Sequence, residues 1–174
     1  IDDNWRSGAY EMQLAIISDI HDRRDHLAVI LSQVTDADAL ICCGDLCSPF
    51  TVVQLGEGFT KPIHVVFGNN DGDLFRITQQ ASRFSHMTLH GEFAELTFDG
   101  KRIAVNHFPE IARALAASDR YDLVCYGHDH KHSIDTNGDT LIVNPGEVYG
   151  GLTGVTSYVV YDTVRGVAER RDIG

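Results

Sequence analysis

The chain lacks any apolar run near the ~20 residues a membrane helix needs, and no basic segment followed by an apolar stretch opens it. It therefore reads as a soluble, cytoplasmic domain with no membrane partner and no visible secretory signal. Basic residues are scarce, 14 Lys and Arg against 25 Asp and Glu, for a formal charge of −11. A field of that sign repels polyanions and excludes general nucleic-acid binding. A small phosphorylated substrate stays open, because a bound cation inverts the local field. The four cysteines, Cys42, Cys43, Cys47 and Cys125, show neither CxxC nor any paired spacing. A disulfide framework and a structural zinc site drop out, leaving buried reduced thiols in strands. There is no repeat, no low-complexity stretch and no Pro/Ser-rich linker in the 174 residues, which suffice for one domain with a real core. Residues 1–11 are polar and aperiodic and precede Met12, so they read as a leader, loose arm or expression remnant before a single domain over 12–174.

What is present alternates. Apolar runs at Met12–Ser18, Ala39–Cys43 and Pro62–Phe67 read as buried strands, with an amphipathic helix over Asp25–Val34 and loops rich in Gly, Asp and Asn between. Such repeats imply parallel strands joined by crossovers. Beyond residue 84 the rhythm shortens. Strands are expected at His86–His90, Phe93–Phe98, Arg102–Asn106, Asp122–Tyr126, His132–Thr136, Leu141–Asn144, Ser157–Asp162 and Gly166–Arg170. Asp99-Gly100 and Asn137-Gly138 are turn signals, and Pro109–Ser118 is helical. The fold class is α/β, two packed sheets with flanking helices.

Nine histidines in a short acidic chain are unusual, and their placement is informative. Polar, metal-capable residues follow the apolar runs: Asp19-Ile20-His21, Gly44-Asp45, Gly68-Asn69-Asn70-Asp71, His107, and Gly127-His128-Asp129-His130. Parallel strands deliver their carboxyl ends to one edge of an α/β sheet, where ligands bind. Five strand ends thus bring two carboxylates, one amide oxygen and four imidazoles together, enough for two metals if one carboxylate bridges. His26, His64, His86 and His90 fall on helix or strand faces without partners and read as structural or exposed, while His132 stands between rim and surface.

In this order the motifs resemble the calcineurin-like metallophosphoesterases, in particular their small capless bacterial and archaeal phosphodiesterases. The match spans about residues 12–162, and the Asn144-Pro145-Gly146 turn is similar to that subgroup too. The resemblance implies a four-layer αββα sandwich of two mixed sheets. It implies Asp19, His21 and His130 on one metal, Asn69, His107 and His128 on the other, and Asp45 between them. Two such ions hold a bridging hydroxide and clamp an in-line displacement at phosphorus. Mixed nitrogen and oxygen donors favour divalent transition metals, Mn²⁺ first, with Zn²⁺, Fe²⁺, Ni²⁺ or Co²⁺ as alternatives. Small members are often dimers, which allows a homodimer, although no heptad or long apolar stripe marks an interface.

Three departures bear on chemistry. Asn70 stands where many members carry a His that protonates or stabilises the leaving group, and an amide delivers no proton; Asp71 then lacks the imidazole it would orient. Phe108 follows His107 in place of Gly, and its ring either stacks on a substrate or anchors the next helix. Asp129 replaces Thr and either supports a ligand His or is solvated. The leading expectation is a phosphodiesterase acting on a small phosphorylated substrate, with Asn70 and Asp71 as candidate catalytic residues and Phe108 as a candidate substrate contact. Specificity then rests on the loops Cys47–Thr60 and Glu147–Val155. A phosphomonoesterase or dinucleoside polyphosphate hydrolase is the nearest competitor. A protein-interaction scaffold like the retromer subunit of this fold is the alternative from another class.

Overall fold

The computed structural model describes residues 11–173, so all of the leader but Glu11 lies outside the described residues. Two mixed sheets form. The first holds β1 (Gln13–Ile17), β2 (Ala39–Cys42), β3 (Ile63–Val65), β4 (Met87–Leu89), β10 (Thr156–Asp162) and β11 (Val167–Ile173), in the order β11-β10-β1-β2-β3-β4. The second holds β5 (Phe93–Phe98), β6 (Lys101–Asn106), β7 (Leu123–Cys125), β8 (Ser133–Asn137) and β9 (Thr140–Asn144), in the order β5-β6-β7-β9-β8. Strands β1 to β4 run parallel, as do β6, β7 and β9. Helices α1 (Arg24–Gln33), α2 (Pro49–Gly58) and α3 (Leu74–Ala81) cover the first sheet, and α4 (Pro109–Ala116) covers the second. The order of layers is αββα, as the motif order implied.

The apolar runs are continuous because both faces of the inner strands are buried. In β1, Ala15 and Ile17 face the helices while Leu14 and Ile16 face the other sheet; in β2, Leu40 and Cys42 divide from Ala39 and Ile41 in the same way. On the far side, Ala104 and Val124 pack with Ala112 and Ala116 of α4. Register locks β1 to β2 from Leu14↔Ala39 to Ile17↔Cys42, so their carboxyl ends finish side by side. Asp99 and Gly100, both at positive φ, close the β5–β6 hairpin as the turn signal required.

Two helices escaped the sequence pattern. The stretch 47–60, read as a loop, contains α2, whose Val52, Val53, Gly56 and Gly58 are weak helix formers. Tertiary packing decides instead: a Cβ on Gly56 would meet the Phe84 ring within 2.5–2.7 Å, so only glycine lets this turn sit against it. Helix α3 is capped by Asp73, whose side chain accepts from the Arg76 N–H. The lone histidines also have partners. His64 Nδ1 bonds His90 Nε2 at 2.9 Å, His86 Nε2 lies 3.1 Å from the Gly56 carbonyl, and His26 Nδ1 lies 3.0 Å from that of Val148. Cys42, Cys43 and Cys125 are buried thiols, but Cys47 is a half-buried loop residue rather than a strand one. No helix among the described residues is long and apolar enough to cross a membrane.

Ile41 is fully buried between the sheets. Ile41→Ala is expected to lower unfolding free energy by about 2–5 kcal/mol, read as a reduced urea midpoint at unchanged slope.

Candidate metal centre

The carboxyl ends of β1, β2, β3, β6 and β7 meet at one edge spanning both sheets. The Asp19 N–H donates to Gly44 O at 3.1 Å, the His21 N–H to Asp45 O at 3.0 Å and the Gly127 N–H to His107 O at 3.0 Å. The chain turns sharply there. Asp19, His21, Asp22, Asp45, Cys47, His128 and His130 all have φ between 45° and 76°. Left-handed backbone is costly for a residue with a Cβ, so this many at one edge marks a place where side-chain aim outweighs local comfort. Gly127 is required for a different reason: a Cβ there would run into Ser18 Oγ and the Asp19 carboxylate.

Asp19 and Asp45 are 0% and 1% exposed. Asp45 Oδ2 lies 3.3 Å from His107 Nε2 and 3.5 Å from His21 Nε2, and Asp19 Oδ1 lies 3.4 Å from His130 Nε2. His128 and Asn69 close the other side, with His128 Nδ1 2.9 Å from Asn69 Oδ1 and its ring edge-on to His107. The two imidazoles of the first set, His21 and His130, stack at 5.0 Å. All seven residues read from the sequence as ligands are therefore gathered at this edge.

The donor set fits divalent cations. Asp19, His21 and His130 offer ligand atoms within 4.8 Å of one another, and so do Asp19, Asp45 and His107. The Nε2 atoms of His21 and His107 are buried yet hydrogen-bonded to nothing among the described residues. Tautomers are fixed from behind. His107 Nδ1 donates to Cys43 O at 2.7 Å and His130 Nδ1 to Glu147 Oε2 at 2.6 Å, leaving each Nε2 lone pair facing inward. Burial opposes charge on Asp45, but contacts from His107 and Asn70 prevail and hold its carboxyl well below the usual range. The Asp19 carboxylate, then the Cys47 thiol, push His21 up to about 10 against burial.

The remaining candidates take distinct places. Asn70 donates from its backbone N–H and from Nδ2 to the two Asp45 oxygens, each at 2.8 Å. Asp71 accepts from the backbone N–H groups of Gly68, Asp45 and Cys47 at 2.7, 3.1 and 2.7 Å, pinning the third loop to the second. The Phe108 ring lies edge-on to His107 and His128, and the residue is the cap of α4. Among the described residues Asp129 is hydrogen-bonded to no imidazole of the cluster; it accepts from Asn144 Nδ2 at 2.7 Å and from the Lys131 N–H at 3.0 Å. His132 is outside the cluster, half-buried in a small cleft beside Lys131 and Arg170.

Glu147 was missed as a site residue. It is fully buried, and Oε1 accepts from the Leu152 and Thr153 N–H groups and the Thr153 hydroxyl while Oε2 accepts from His130 Nδ1–H. Its signal lay in the strand-end rule: β9 ends at Asn144, and an acidic residue follows within the next turn.

Residues 12–166 match the calcineurin-like phosphoesterase superfamily domain. The chain belongs to that family. It is 28% identical over 156 residues to phosphodiesterase MJ0936 of Methanocaldococcus jannaschii, covering 87% of this chain and 93% of the relative. The solved structure of an archaeal phosphodiesterase superposes with a TM-score of 0.87 at 25% identity, covering 93% of this chain and all of the other. Fold alone is shared with Escherichia coli YfcE, a phosphoesterase, at a TM-score of 0.63 and 22% identity, covering 94% of this chain and all of that one. The same holds for Entamoeba histolytica Vps29 in complex with zinc, at 0.62 and 18% over 93% and 98%. These relatives fit the small phosphoesterases of the family, and the family implies divalent metal ions.

Glu147→Gln keeps the shape but removes the charge behind His130. Affinity for Mn²⁺ by calorimetry is expected to fall about 10–100-fold, with the fold intact by circular dichroism.

Proposed function

We propose that the chain is a metal-dependent phosphodiesterase that hydrolyses small phosphodiesters. Asp19, His21 and His130 would hold one divalent transition-metal ion and Asn69, His107 and His128 a second, with Asp45 shared between the two sets. The observation that carries this reading is the position of Asp45 Oδ2, which reaches His21 of one set and His107 of the other at 3.5 and 3.3 Å. The names of the relatives at 28% and 25% identity, both phosphodiesterases, support the reaction class. When bound, such an ion pair supplies a hydroxide at neutral pH and charge to stabilise the oxygens around phosphorus. Mixed imidazole, amide and carboxylate donors suit Mn²⁺, Zn²⁺, Fe²⁺, Co²⁺ or Ni²⁺.

The protein groups do the positioning. Cys43 O and Glu147 fix two imidazoles, Asp71 holds the loop that carries Asn69 and Asn70, and Asn70 Nδ2 steadies Asp45. The Asn70 amide donates hydrogen bonds but has no proton acidic enough to transfer to a leaving group at neutral pH. Departure of an ester oxygen then depends on that oxygen's own stability as an anion, so aryl esters react far faster than alkyl ones.

Metal-stripped protein titrated with Mn²⁺ is expected to hydrolyse bis-p-nitrophenyl phosphate saturably, with far less turnover of p-nitrophenyl phosphate. Inert metal-loaded protein, after Zn²⁺, Fe²⁺, Co²⁺ and Ni²⁺ have also been tried, would reject the enzyme in favour of a scaffold. A second expectation concerns the amide. Asn70→His is expected to speed hydrolysis of alkyl diesters on the order of 10²-fold, the scale of general-acid assistance, while aryl diesters change little. An equal response of both substrate types would reject the leaving-group account.

A further inference from the structure

Beside the cluster opens a cleft of about 400 Å³ lined by His21, Asn70, His130, Tyr149 and Leu152, a size typical of small-molecule sites. Its two sides differ in chemistry. His21, His130 and Asn70 form a polar floor, whereas Tyr149 and Leu152 form an apolar wall. Leu152 is 71% exposed, a large aliphatic side chain held over a polar floor. Phe108, the aromatic candidate from the sequence, is not among the residues lining this cleft.

The wall is fixed in place. The Tyr149 N–H donates to the Asp19 carbonyl at 3.0 Å, and its own carbonyl accepts from Arg23 at 3.3 Å. Its ring lies 5.6 Å from the His21 ring, tilted, and Gly151 packs so closely behind it that any Cβ there would enter the ring. The Leu152 N–H donates to Glu147 Oε1 at 3.1 Å, the carboxylate whose other oxygen orients His130. One buried acid thus sets both an imidazole of the centre and the loop that forms the wall.

We infer that Tyr149 and Leu152 bind a flat ring on one ester group of the substrate, so that the favoured phosphodiesters carry an aryl or nucleoside substituent. This rests on the phosphodiesterase reading and narrows its substrate class. The phosphoryl group sits over the polar floor and the ring lies along the wall, shielding Leu152 from water and stacking by Tyr149.

The test compares two product-like ligands, phenyl phosphate and methyl phosphate, by calorimetry on Mn²⁺-loaded protein. Both carry the same dianionic head, and only one has a ring. Phenyl phosphate is expected to bind about tenfold tighter, the low end of what one stacked ring contributes. Tyr149→Ala and Leu152→Ala are each expected to bring the ratio of the two affinities towards one, while Tyr149→Phe keeps it. If Tyr149→Ala fails to fold, the exposed Leu152→Ala carries the test alone. Equal affinities in the unaltered protein, or an unchanged ratio in Leu152→Ala, would overturn the wall and leave the metal centre standing. Binding of neither ligand to protein that has taken up Mn²⁺ would likewise overturn the wall, whereas failure to take up Mn²⁺ at all would bring down the metal-centre reading and the wall with it.

Discussion

Two carboxylates, Asp19 and Asp45, are withdrawn from water at the edge of both sheets, and much of the local structure answers to them. A buried carboxylate is costly unless it is paired or bonded. The Asn70 amides and the His128 N–H supply bonds, and three imidazoles crowd in at 3.3–3.5 Å. The approach is possible because β1 and β2 are adjacent, parallel and in register, so the turns that follow them hydrogen-bond to each other. A slip of one residue would turn Leu14 and Ile16 away from the inter-sheet core and carry the carboxylates away together.

Aiming so many side chains at one place needs backbone that ordinary loops avoid. Five of the seven candidate ligands are left-handed, at about 1 kcal/mol or more each. The sheets on either side absorb this. Three apolar clusters, two of them flanking the first sheet, over-determine the strand positions and leave the turns little freedom to relax. Those constraints also explain the glycines: Gly127 sits where Ser18 and Asp19 come too close for any side chain.

The strands and their chemical ends were legible because burial on both faces writes an unbroken apolar run, and its end is sharp. Ile16, Ile41 and Val124 sit in such runs, and the ligand types follow each one. Helix α2 was illegible because its register depends on Gly56 meeting Phe84, a contact 28 residues away that no local pattern records. The His64–His90 pair was hidden for the same reason, since it forms only when β3 and β4 lie side by side. Glu147 had a usable signal, a carboxylate just past a strand end, but its role depends on a bond to His130 across 17 residues. Asp129, nearer in sequence to the imidazoles, bonds to Asn144 instead and braces the turn from outside.

Charge balance bears on which ester the proposed centre would prefer. Asp19, Asp45 and Glu147 are buried acids in direct contact with the imidazoles, and His107 adds none because its Nδ1 is backed by a neutral carbonyl. Asp71 is spent on three backbone amides. Were two divalent ions held there, as proposed, these three negative charges against their four would leave one positive charge before any hydroxide is counted, and none after it. A diester brings a single negative charge to such a centre and a monoester close to two, in a chain whose overall charge of −11 adds to the repulsion. Among the described residues no Lys or Arg lines the cleft beside His21, Asn70 and His130 to offset the second charge. On the proposed two-metal reading, the centre would be matched to the less charged ester, and its selectivity among diesters would fall to the inferred wall of Tyr149 and Leu152 rather than to a cation.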